Sequence, residues 1–394
     1  MRYDPFDPSF QADPYPAYKH LRDHDPVHRH EDPPYWALSR FEDVWEAVRD
    51  AQTFSSAQGL TFHPDEIGML GLAPTMVMLD PPRHTVLRRL VSHGFTPRRI
   101  AALEDLVRDF VGGRIDRMER DAAAGRTVDL HRDFSSPLPT FVLAHLLGVP
   151  ESDRQRFDPW VSALTTLQDE GFSTRGAAIE AVAEMYGYFS EVIKDRRREP
   201  RDDLISALTR AEADGERLTD WDILGFCFVM VAGGNDTTGN LVSHAVMLLD
   251  QHHDQRERLA GDPALIPNAL VEFLRMEGSV QALARTTTRP VRIGETEIPE
   301  GVKVMMLYGA ANRDEREFGP DADRLDVTRR IPRHLAFASG VHFCIGSHLA
   351  KLQARVALEE LLRRHPYIGV DLGTAKRVSS PFTRGWISLP ATGL

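Results

Sequence analysis

Apolar residues recur every three or four positions over much of the chain, with polar residues between them, which is the pattern of amphipathic helices. Shorter runs alternate between apolar and polar residues, as half-buried strands do. The predicted helices cover residues 15–22, 97–120, 136–148, 151–168, 174–198, 202–213, 219–250, 264–278 and 349–364. The predicted strands cover residues 27–30, 35–39, 291–293, 296–298 and 303–307. The pattern therefore predicts a mainly α fold with a smaller β region.

The longest of these predicted helices contains an unusual central stretch. Thr219 and Asp222 have the spacing of a capping box and mark the start of the helix. The middle of the helix, Ala232–Gly239, holds paired glycines, an acid and two threonines, which are poor helix formers. Paired glycines let a flat ligand lie against a helix, and a threonine hydroxyl can bond the carbonyl four residues back. The alternative is two separate helices, 219–232 and 240–250, joined by a break.

Composition and charge narrow the class of protein. The 394 residues are 42% hydrophobic and 27% charged, which is ordinary for a globular protein with a large core. The net charge of −11 argues against nucleic acid as a partner, because no basic excess is available to neutralise phosphates. The N-terminus has no signal pattern, and no apolar run reaches the roughly 18 residues that cross a bilayer. We therefore expect a cytoplasmic protein without a membrane anchor.

The two cysteines, Cys227 and Cys344, are far apart and form no paired-cysteine metal motif. Cys344 lies between Gly340 and Gly346, just before a helical pattern that starts at Leu349. Glycines let a loop wrap round the thiol, and the positive end of the helix dipole favours the thiolate, so we expect a lowered thiol pKa. A single thiolate suits an axial bond to haem iron better than a zinc site, which needs about four ligands. The alternative is a buried cysteine that only packs.

The stretch from Phe337 to Ala350 resembles the haem-binding loop of the cytochromes P-450, the haem-thiolate monooxygenases. That loop has Phe, two residues, Gly, three residues, Cys, one residue, Gly, and then Leu-Ala on the following helix. The resemblance implies the cytochrome P-450 fold, in which haem b lies between the loop of Cys344 and a long central helix that crosses it. Two positions depart from the family: Ala338 replaces the usual Gly or Ser, and Ser279 replaces a frequent Pro in the turn that lines the pocket.

Other stretches resemble further parts of the same family and follow its order along the chain. By this resemblance the haem contacts are His84, Arg88, Gly233, Arg285, Phe337, Gly340, His342, Cys344, Gly346 and Ala350. Cys344 is then the axial ligand of the iron, and the basic residues bind the propionates. Because the motifs extend from residue 80 to 355 as one unit, we expect one haem-thiolate monooxygenase domain over residues 1–394. Its first residues, 1–14, are expected to be a short extended segment.

Two further groups take their expected roles from the resemblance. Asp236 and Thr237 match the acid and the threonine that deliver protons during oxygen activation in the family. Glu272, Arg275 and Arg324 match a buried structural triad behind the haem. A buried network of this kind must be satisfied throughout, so the loss of one member is expected to be severe.

The substrate pocket is expected to be mostly apolar. The residues placed around it are Leu60, Met76, Met78, Val229, Ala232, Val280, Leu283 and Phe382. Core packing is the alternative for each of them. If they do line the pocket, the substrate is an apolar or aromatic small molecule.

The predicted activity is insertion of one oxygen atom from dioxygen into such a molecule, by hydroxylation or by O- or N-dealkylation. The sequence has no flavin or iron–sulfur motif, so the electrons would come from NAD(P)H through a separate ferredoxin or flavodoxin and its reductase. Arg89, Arg98 and Arg99 are candidates for a surface that docks such an acidic donor. The alternatives are a peroxide-driven peroxygenase, a type that typically lacks the acid–Thr pair, and a non-catalytic haem protein that binds or senses a ligand. No oligomer interface is recognisable in the sequence.

Overall fold

The computed structural model describes residues 3–63, 73, 75–157, 159–161, 163, 175–213 and 215–394. Its α-helices are α1 (Pro8–Ala12), α2 (Tyr15–His24), α3 (Phe41–Ala47), α4 (Arg83–Ser92), α5 (Pro97–Ala101), α6 (Glu104–Ala123), α7 (Pro137–Leu146), α8 (Arg175–Arg198), α9 (Leu204–Arg210), α10 (Asp220–Gln251), α11 (His253–Gly261), α12 (Ile266–Met276), α13 (Tyr308–Ala311), α14 (Glu315–Phe318) and α15 (Ser347–Arg364). A π-helix covers Leu130–Ser135, and 3-10 helices cover Met76–Met78, Glu151–Arg156, Pro263–Leu265 and Gly340–His342.

The β structure is small and is concentrated in one sheet. The strands are β1 (Val27–Glu31), β2 (Pro34–Leu38), β3 (Phe54–Ser55), β4 (Glu212–Ala213), β5 (Glu216–Arg217), β6 (Ala282–Thr287), β7 (Val291–Ile293), β8 (Thr296–Ile298), β9 (Lys303–Leu307), β10 (Gly369–Val370), β11 (Lys376–Arg377), β12 (Trp386–Ser388) and β13 (Ala391–Thr392). The main sheet has the order β1-β2-β9-β6-β3, in which only β2 and β9 run parallel. The remaining described strands pair in twos, β4 with β5, β7 with β8, β10 with β13 and β11 with β12.

Helix α10 is the central element of the helical part. It runs unbroken for 32 residues, and Thr219 and Asp222 form the predicted capping box at its start. The alternative of two separate helices is therefore wrong. Gly234 allows a close approach to α7, since a Cβ at this position would lie 2.8 Å from Cδ1 of Leu143. Most residues of α10 are buried, and its buried apolar side chains belong to the largest hydrophobic cluster of the described residues, as expected for a helix that is apolar on nearly every face.

The prediction of a mainly α fold with a smaller β region is confirmed, while several helix boundaries differ. The expectation of an extended segment over residues 1–14 is wrong for Pro8–Ala12, which form α1. The helix predicted over 97–120 is divided into α5 and α6. The N–H of Leu103 bonds the carbonyl of Ile100, a tight three-residue turn that closes α5 before α6 begins. The helix predicted over 151–168 starts as a 3-10 helix, and much of its remainder lies outside the described residues. Among the described helices, none has the length and apolar character needed to cross a membrane.

Candidate active site

A closed loop positions the thiol of Cys344 ahead of helix α15. The N–H of Cys344 donates to the carbonyl of Phe337 at 2.9 Å, which joins the two ends of the loop. Gly340 has a φ of +67°, and a Cβ there would lie 3.0 Å from the Cα of Arg49. Only glycine meets both demands without strain. Helix α15 begins at Ser347, three residues after the thiol.

Ala338 is a strained position in the same loop. Its φ of +55° lies in the left-handed region, and among the described residues it is the one non-glycine residue with a positive φ. For a residue with a Cβ, this conformation costs about 1–2 kcal/mol. Ala338 also lines the cavity that Cys344 faces, so the strain is located at the wall of the site.

Opposing effects act on the thiol of Cys344. Burial raises its pKa, while backbone N–H groups of Gly346 and Ser347 and the positive charge of Arg88 lower it. Burial is the largest of these effects, and the pKa is raised overall. The expectation of a lowered pKa from the helix start is therefore wrong. A metal ion would reverse this balance, because a coordinating thiol is deprotonated.

Helix α10 contributes a second part of the cavity wall. Gly233, Gly234, Thr237 and Thr238 line the same cavity as Cys344. The hydroxyl of Thr237 donates to the carbonyl of Gly233 at 2.8 Å, the bond expected for a threonine in this stretch. A Cβ at residue 233 would meet no atom within 4 Å, so the helix surface is flat and open there. Within the described part of the chain, the lining does not include Asp236, which is partly exposed.

Four basic side chains lie within electrostatic reach of one another beside the cavity: His84, Arg88, Arg285 and His342. The rings of His84 and His342 are 4.4 Å apart. Burial, followed by the charge of Arg285, lowers the pKa of His342 to about 3. Burial also lowers the pKa of His84, and neither of its ring nitrogens has a hydrogen-bond partner among the described residues. The structure thus gathers positive charge beside the cavity, together with a buried His84 ring whose nitrogens have no partner among the described residues.

Glu272 on α12 is the centre of a buried ion-pair network. Its Oε2 accepts from Nε of Arg275 at 2.7 Å, and both side chains are fully buried. The second cation is Arg329, whose Nε lies 3.3 Å from Oε1 of Glu272. Arg324 is exposed and reaches this network only through its carbonyl, 3.4 Å from the Arg329 guanidinium. The prediction that Arg324 is the third member of the network is therefore wrong. The chain turns back after Arg324 and brings Arg329 to the Glu272 carboxylate. The Asp321 carboxylate lies 3.0 Å from the guanidinium of Arg329 and holds that side chain in place.

The cavity between the Cys344 loop and α10 has mostly apolar walls. Of the predicted pocket residues, Met76, Val229, Val280 and Leu283 line it. The other four, Leu60, Met78, Ala232 and Phe382, are not part of the described lining, and their role at the pocket stays a prediction. The Phe382 ring lies 5.0 Å from the Phe62 ring.

Of the predicted haem contacts, His84, Arg88, Gly233, Phe337, His342, Cys344, Gly346 and Ala350 line the cavity. Arg285 and Gly340 are not part of the described lining. The sequence did not single out further lining residues, among them Leu143, Leu241, Leu274, Tyr308 and Gln353. Two of them had a signal, because Leu241 follows Thr237 by four residues and Gln353 follows Ala350 by three, so that each shares a helix face with a predicted residue. Leu143, Leu274 and Tyr308 come from elements whose approach to the cavity no local pattern reveals. Ser279 lines the cavity, as expected for the turn that holds it.

Comparison with known proteins gives consistent matches over nearly the whole chain. The family model described as Cytochrome P450 matches residues 33–262 and 264–368. Cytochrome P450 130 of Mycobacterium tuberculosis is 49% identical over 387 residues, covering 96% of this chain and 94% of that protein. Vitamin D(3) 25-hydroxylase of Pseudonocardia autotrophica is 36% identical over 399 residues, covering 99% of this chain and 96% of that protein. The structure of PksS, the cytochrome P450 of the Bacillus subtilis bacillaene polyketide synthase, superposes with a TM-score of 0.91 at 30% identity and covers 100% of both chains.

Proposed function

Because this chain belongs to the cytochrome P450 family of haem-dependent monooxygenases, we propose that it inserts one oxygen atom from dioxygen into an apolar small molecule, by hydroxylation or O- or N-dealkylation. The observation that carries the proposal is that Cys344, from the loop before α15, and Thr237, from the middle of α10, line one cavity. The cavity thus brings a thiol and a threonine hydroxyl from two separate elements to one site. We also treat residues 1–394 as one domain, which the extent of the family match supports.

The residues around the cavity fit haem b. His84 has two buried ring nitrogens without partners, and Arg88 and Arg285 add positive charge near it. Two propionates would satisfy these groups, since carboxylates bind strongly to cationic donors. Cys344 would be the axial ligand, with the N–H groups of Gly346 and Ser347 donating to its sulfur. When bound, haem supplies the redox chemistry, and the thiolate favours O–O cleavage.

The turn of α10 around Thr237 would control protons in the reaction. The Thr237 hydroxyl donates to the Gly233 carbonyl, so it is held at the helix surface that faces the cavity. Its oxygen retains acceptor capacity and can receive a proton or a water molecule there. Asp236 is partly exposed, which suits a group that passes protons from solvent to Thr237. We assign proton delivery to this pair, and it favours a dioxygen-using monooxygenase over a peroxygenase.

The cavity supports an apolar substrate. Met76, Val229, Val280 and Leu283 give its walls an aliphatic character, and no acidic side chain is part of the described lining. Burial of apolar substrate surface would supply most of the affinity, at about 25 cal/mol per Å². One relative at 36% identity is named for 25-hydroxylation of vitamin D(3), a molecule of this class. We propose a lipid-like or polycyclic substrate of similar polarity.

The electrons must come from outside the chain. Its two cysteines leave no set for an iron–sulfur cluster once Cys344 binds iron. We propose a ferredoxin or flavodoxin with its reductase as the donor, with NAD(P)H as the ultimate source. Arg89 and Arg98 are exposed near α4 and α5, and an acidic donor would be attracted to them.

The test of this function is the absorption spectrum of the protein reduced with dithionite under carbon monoxide. A strongly red-shifted Soret band is expected, because Cys344 would bind the haem iron as a thiolate. The variant Cys344→His should move the band to the position of histidine-ligated haem. A wild-type band already at that position, or no haem at all, would refute the assignment of Cys344. Turnover of vitamin D(3) with NADH, a surrogate ferredoxin and its reductase then separates an enzyme from a ligand sensor, and turnover with peroxide alone would favour a peroxygenase.

A further inference from the structure

A short turn after helix α12 crosses α10 beside the catalytic threonine. This turn, Glu277–Ser279, touches α10 at two points. Nδ1 of His244 donates to the carbonyl of Glu277 at 2.9 Å, and the hydroxyl of Ser279 donates to the carbonyl of Thr237 at 3.1 Å. The two contacted helix positions are seven residues apart, so they lie on one face of α10, two turns from each other. The turn therefore fastens the helix face that carries Thr237.

The same turn is fixed from its other side by Arg384. The N–H of Arg384 donates to the carbonyl of Ser279 at 2.7 Å, and its Nε donates to the Glu277 carboxylate at 3.1 Å. Arg313 adds a second cation, 3.5 Å from Glu277. All three charged side chains are buried. Burial alone would raise the pKa of Glu277, but Arg384, His244 and Arg313 outweigh it and lower that pKa to about 2. The turn is thus anchored by charges that stay paired throughout the neutral range.

We propose that Ser279 is a positioning residue for Thr237. This proposal rests on the proposed function, since it assigns a role in the same reaction. The side chain of Ser279 is buried and lines the cavity next to Thr237 and Val280. A carbonyl oxygen has two lone pairs, so the carbonyl of Thr237 can accept the serine hydroxyl as well as a helical N–H. The frequent Pro of the family could not make this bond, because proline has no side-chain donor.

The bond from Ser279 stabilises α10 in the stretch where the residues are the poorest helix formers. Gly233 and Gly234 precede Thr237 and weaken the helix locally. The bond from Thr237 to the Gly233 carbonyl also competes with regular helix geometry. The Ser279 hydroxyl opposes both effects by holding the carbonyl of Thr237 from outside the helix. The orientation of the Thr237 hydroxyl then depends on a residue that is 42 positions away in sequence.

The experiment compares Ser279→Val with Ser279→Thr in the haem-loaded protein. The two side chains have nearly the same shape, and only threonine keeps the hydroxyl. The first readout is amide hydrogen exchange over residues 233–241, which does not require turnover. Loss of one hydrogen bond should speed exchange there about fivefold in Ser279→Val, while Ser279→Thr should exchange like the wild type. The second readout is the fraction of NADH electrons released as peroxide with vitamin D(3) as probe, which should rise at least about threefold in Ser279→Val only.

The outcomes separate this proposal from the proposed function. Unchanged exchange in Ser279→Val, or an increase that Ser279→Thr does not reverse, would overturn the positioning role. Loss of the red-shifted carbon monoxide band in Ser279→Val would show a structural role instead and would also overturn it. Should the wild type fail to oxidise NADH with any surrogate donor, the monooxygenase function falls, and the exchange result still decides whether Ser279 holds Thr237.

Discussion

Glu272 and Arg275 are joined side chain to side chain at 2.7 Å, and both side chains are completely buried. The guanidinium of Arg275 also donates to the carbonyls of Asn312 and Ala322 at 3.0 and 2.6 Å. The pair thereby ties α12 to the irregular segment that leads into the Cys344 loop. Such a pair contributes little net energy against an apolar core, yet removal of one partner leaves a buried charge that costs about 3–5 kcal/mol.

Arg329 should matter for stability, while Arg324 should not. Arg329→Ala removes the second cation from Glu272 and is expected to lower the free energy of unfolding by about 2–4 kcal/mol. Arg324→Ala is the matched control from the same segment, and its exposed side chain should change stability by less than about 0.5 kcal/mol. Urea unfolding followed by circular dichroism measures both. Equal losses in the two variants would contradict the network described for Glu272.

Arg324 was predicted to complete the Glu272 network, but Arg329 does so, and the sequence pattern could not distinguish the two. Both arginines lie in one irregular segment, and their spacing from Arg275 differs by five residues. No periodicity constrains a segment without regular structure, so the residue that turns back to Glu272 cannot be read from the pattern. The Phe337–Gly346 loop was predictable for the opposite reason. Its residues are close together in sequence and match the spacing of the family's haem-binding loop, so the resemblance could be read without knowing how distant segments meet.

The pocket residues also divide into those on regular helices, which the sequence pattern predicts, and those in irregular segments, which it does not. Val229 lies on a long regular helix, where the period of 3.6 residues fixes which positions share a face. Phe382 lies in a turn between short strands, and its ring packs against Phe62 from a distant loop. Contacts of that kind depend on how two irregular segments meet. The fold class followed from helical periodicity, which survives without knowledge of the tertiary structure.

Thr237→Ala should uncouple oxygen consumption from product formation. The substitution removes the hydroxyl that faces the cavity and its bond to the Gly233 carbonyl. Proton transfers by positioned groups are typically worth about 10²–10⁴ in rate, so the share of peroxide should rise at least about fivefold. Oxygen consumed, peroxide released and product formed are measured together, with a substrate found by spin-state titration. Thr237→Ser keeps the hydroxyl and should remain largely coupled. Equal coupling in Thr237→Ala would remove Thr237 from proton delivery.

Ala338→Gly should stabilise the protein, and Gly340→Ala should destabilise it. Glycine at 338 relieves about 1–2 kcal/mol of left-handed strain, against about 0.5–1 kcal/mol of added entropy in the unfolded chain. A net gain of about 0.5–1 kcal/mol is expected. Alanine at 340 would meet the Arg49 backbone at 3.0 Å and take a φ of +67°, at a cost of about 2 kcal/mol or more. Denaturant unfolding of both variants checks the signs, and the reverse order would contradict the loop geometry.

Two buried histidines should make the fold sensitive to mild acid. Burial lowers the pKa of His131 to about 4 and that of His244 to about 3, from about 6.5 in the unfolded chain. Because the folded pKa values are depressed, the stabilisation is fully present above pH 6.5 and is lost as the pH falls toward 4 and 3. Between pH 7.5 and 5.0, the preferential protonation of each histidine in the unfolded chain should lower the free energy of unfolding by about 2 kcal/mol.

Urea unfolding at several pH values tests this behaviour. The slope of the free energy of unfolding against pH measures how many protons the chain takes up on unfolding. His131→Gln should lower that number by about one, whatever the variant does to stability at pH 7.5. A wild-type slope of zero between pH 6.5 and 5 would contradict the burial of neutral histidines.

Arg88 should hold haem in place, and its neighbour Arg89 should not. Arg88 is half-buried and lines the cavity together with His84, whereas Arg89 is exposed and is not part of the described lining. A charge-assisted bond to a carboxylate contributes about 1.5–3 kcal/mol, so Arg88→Gln should speed haem loss about 10- to 100-fold. Transfer of haem to excess apomyoglobin, followed by the change in the Soret band, measures the rate. Arg89→Gln should lose haem at the wild-type rate, because Arg89 is exposed and is not part of the described lining. If both variants release haem as slowly as the wild type, Arg88 does not bind a propionate.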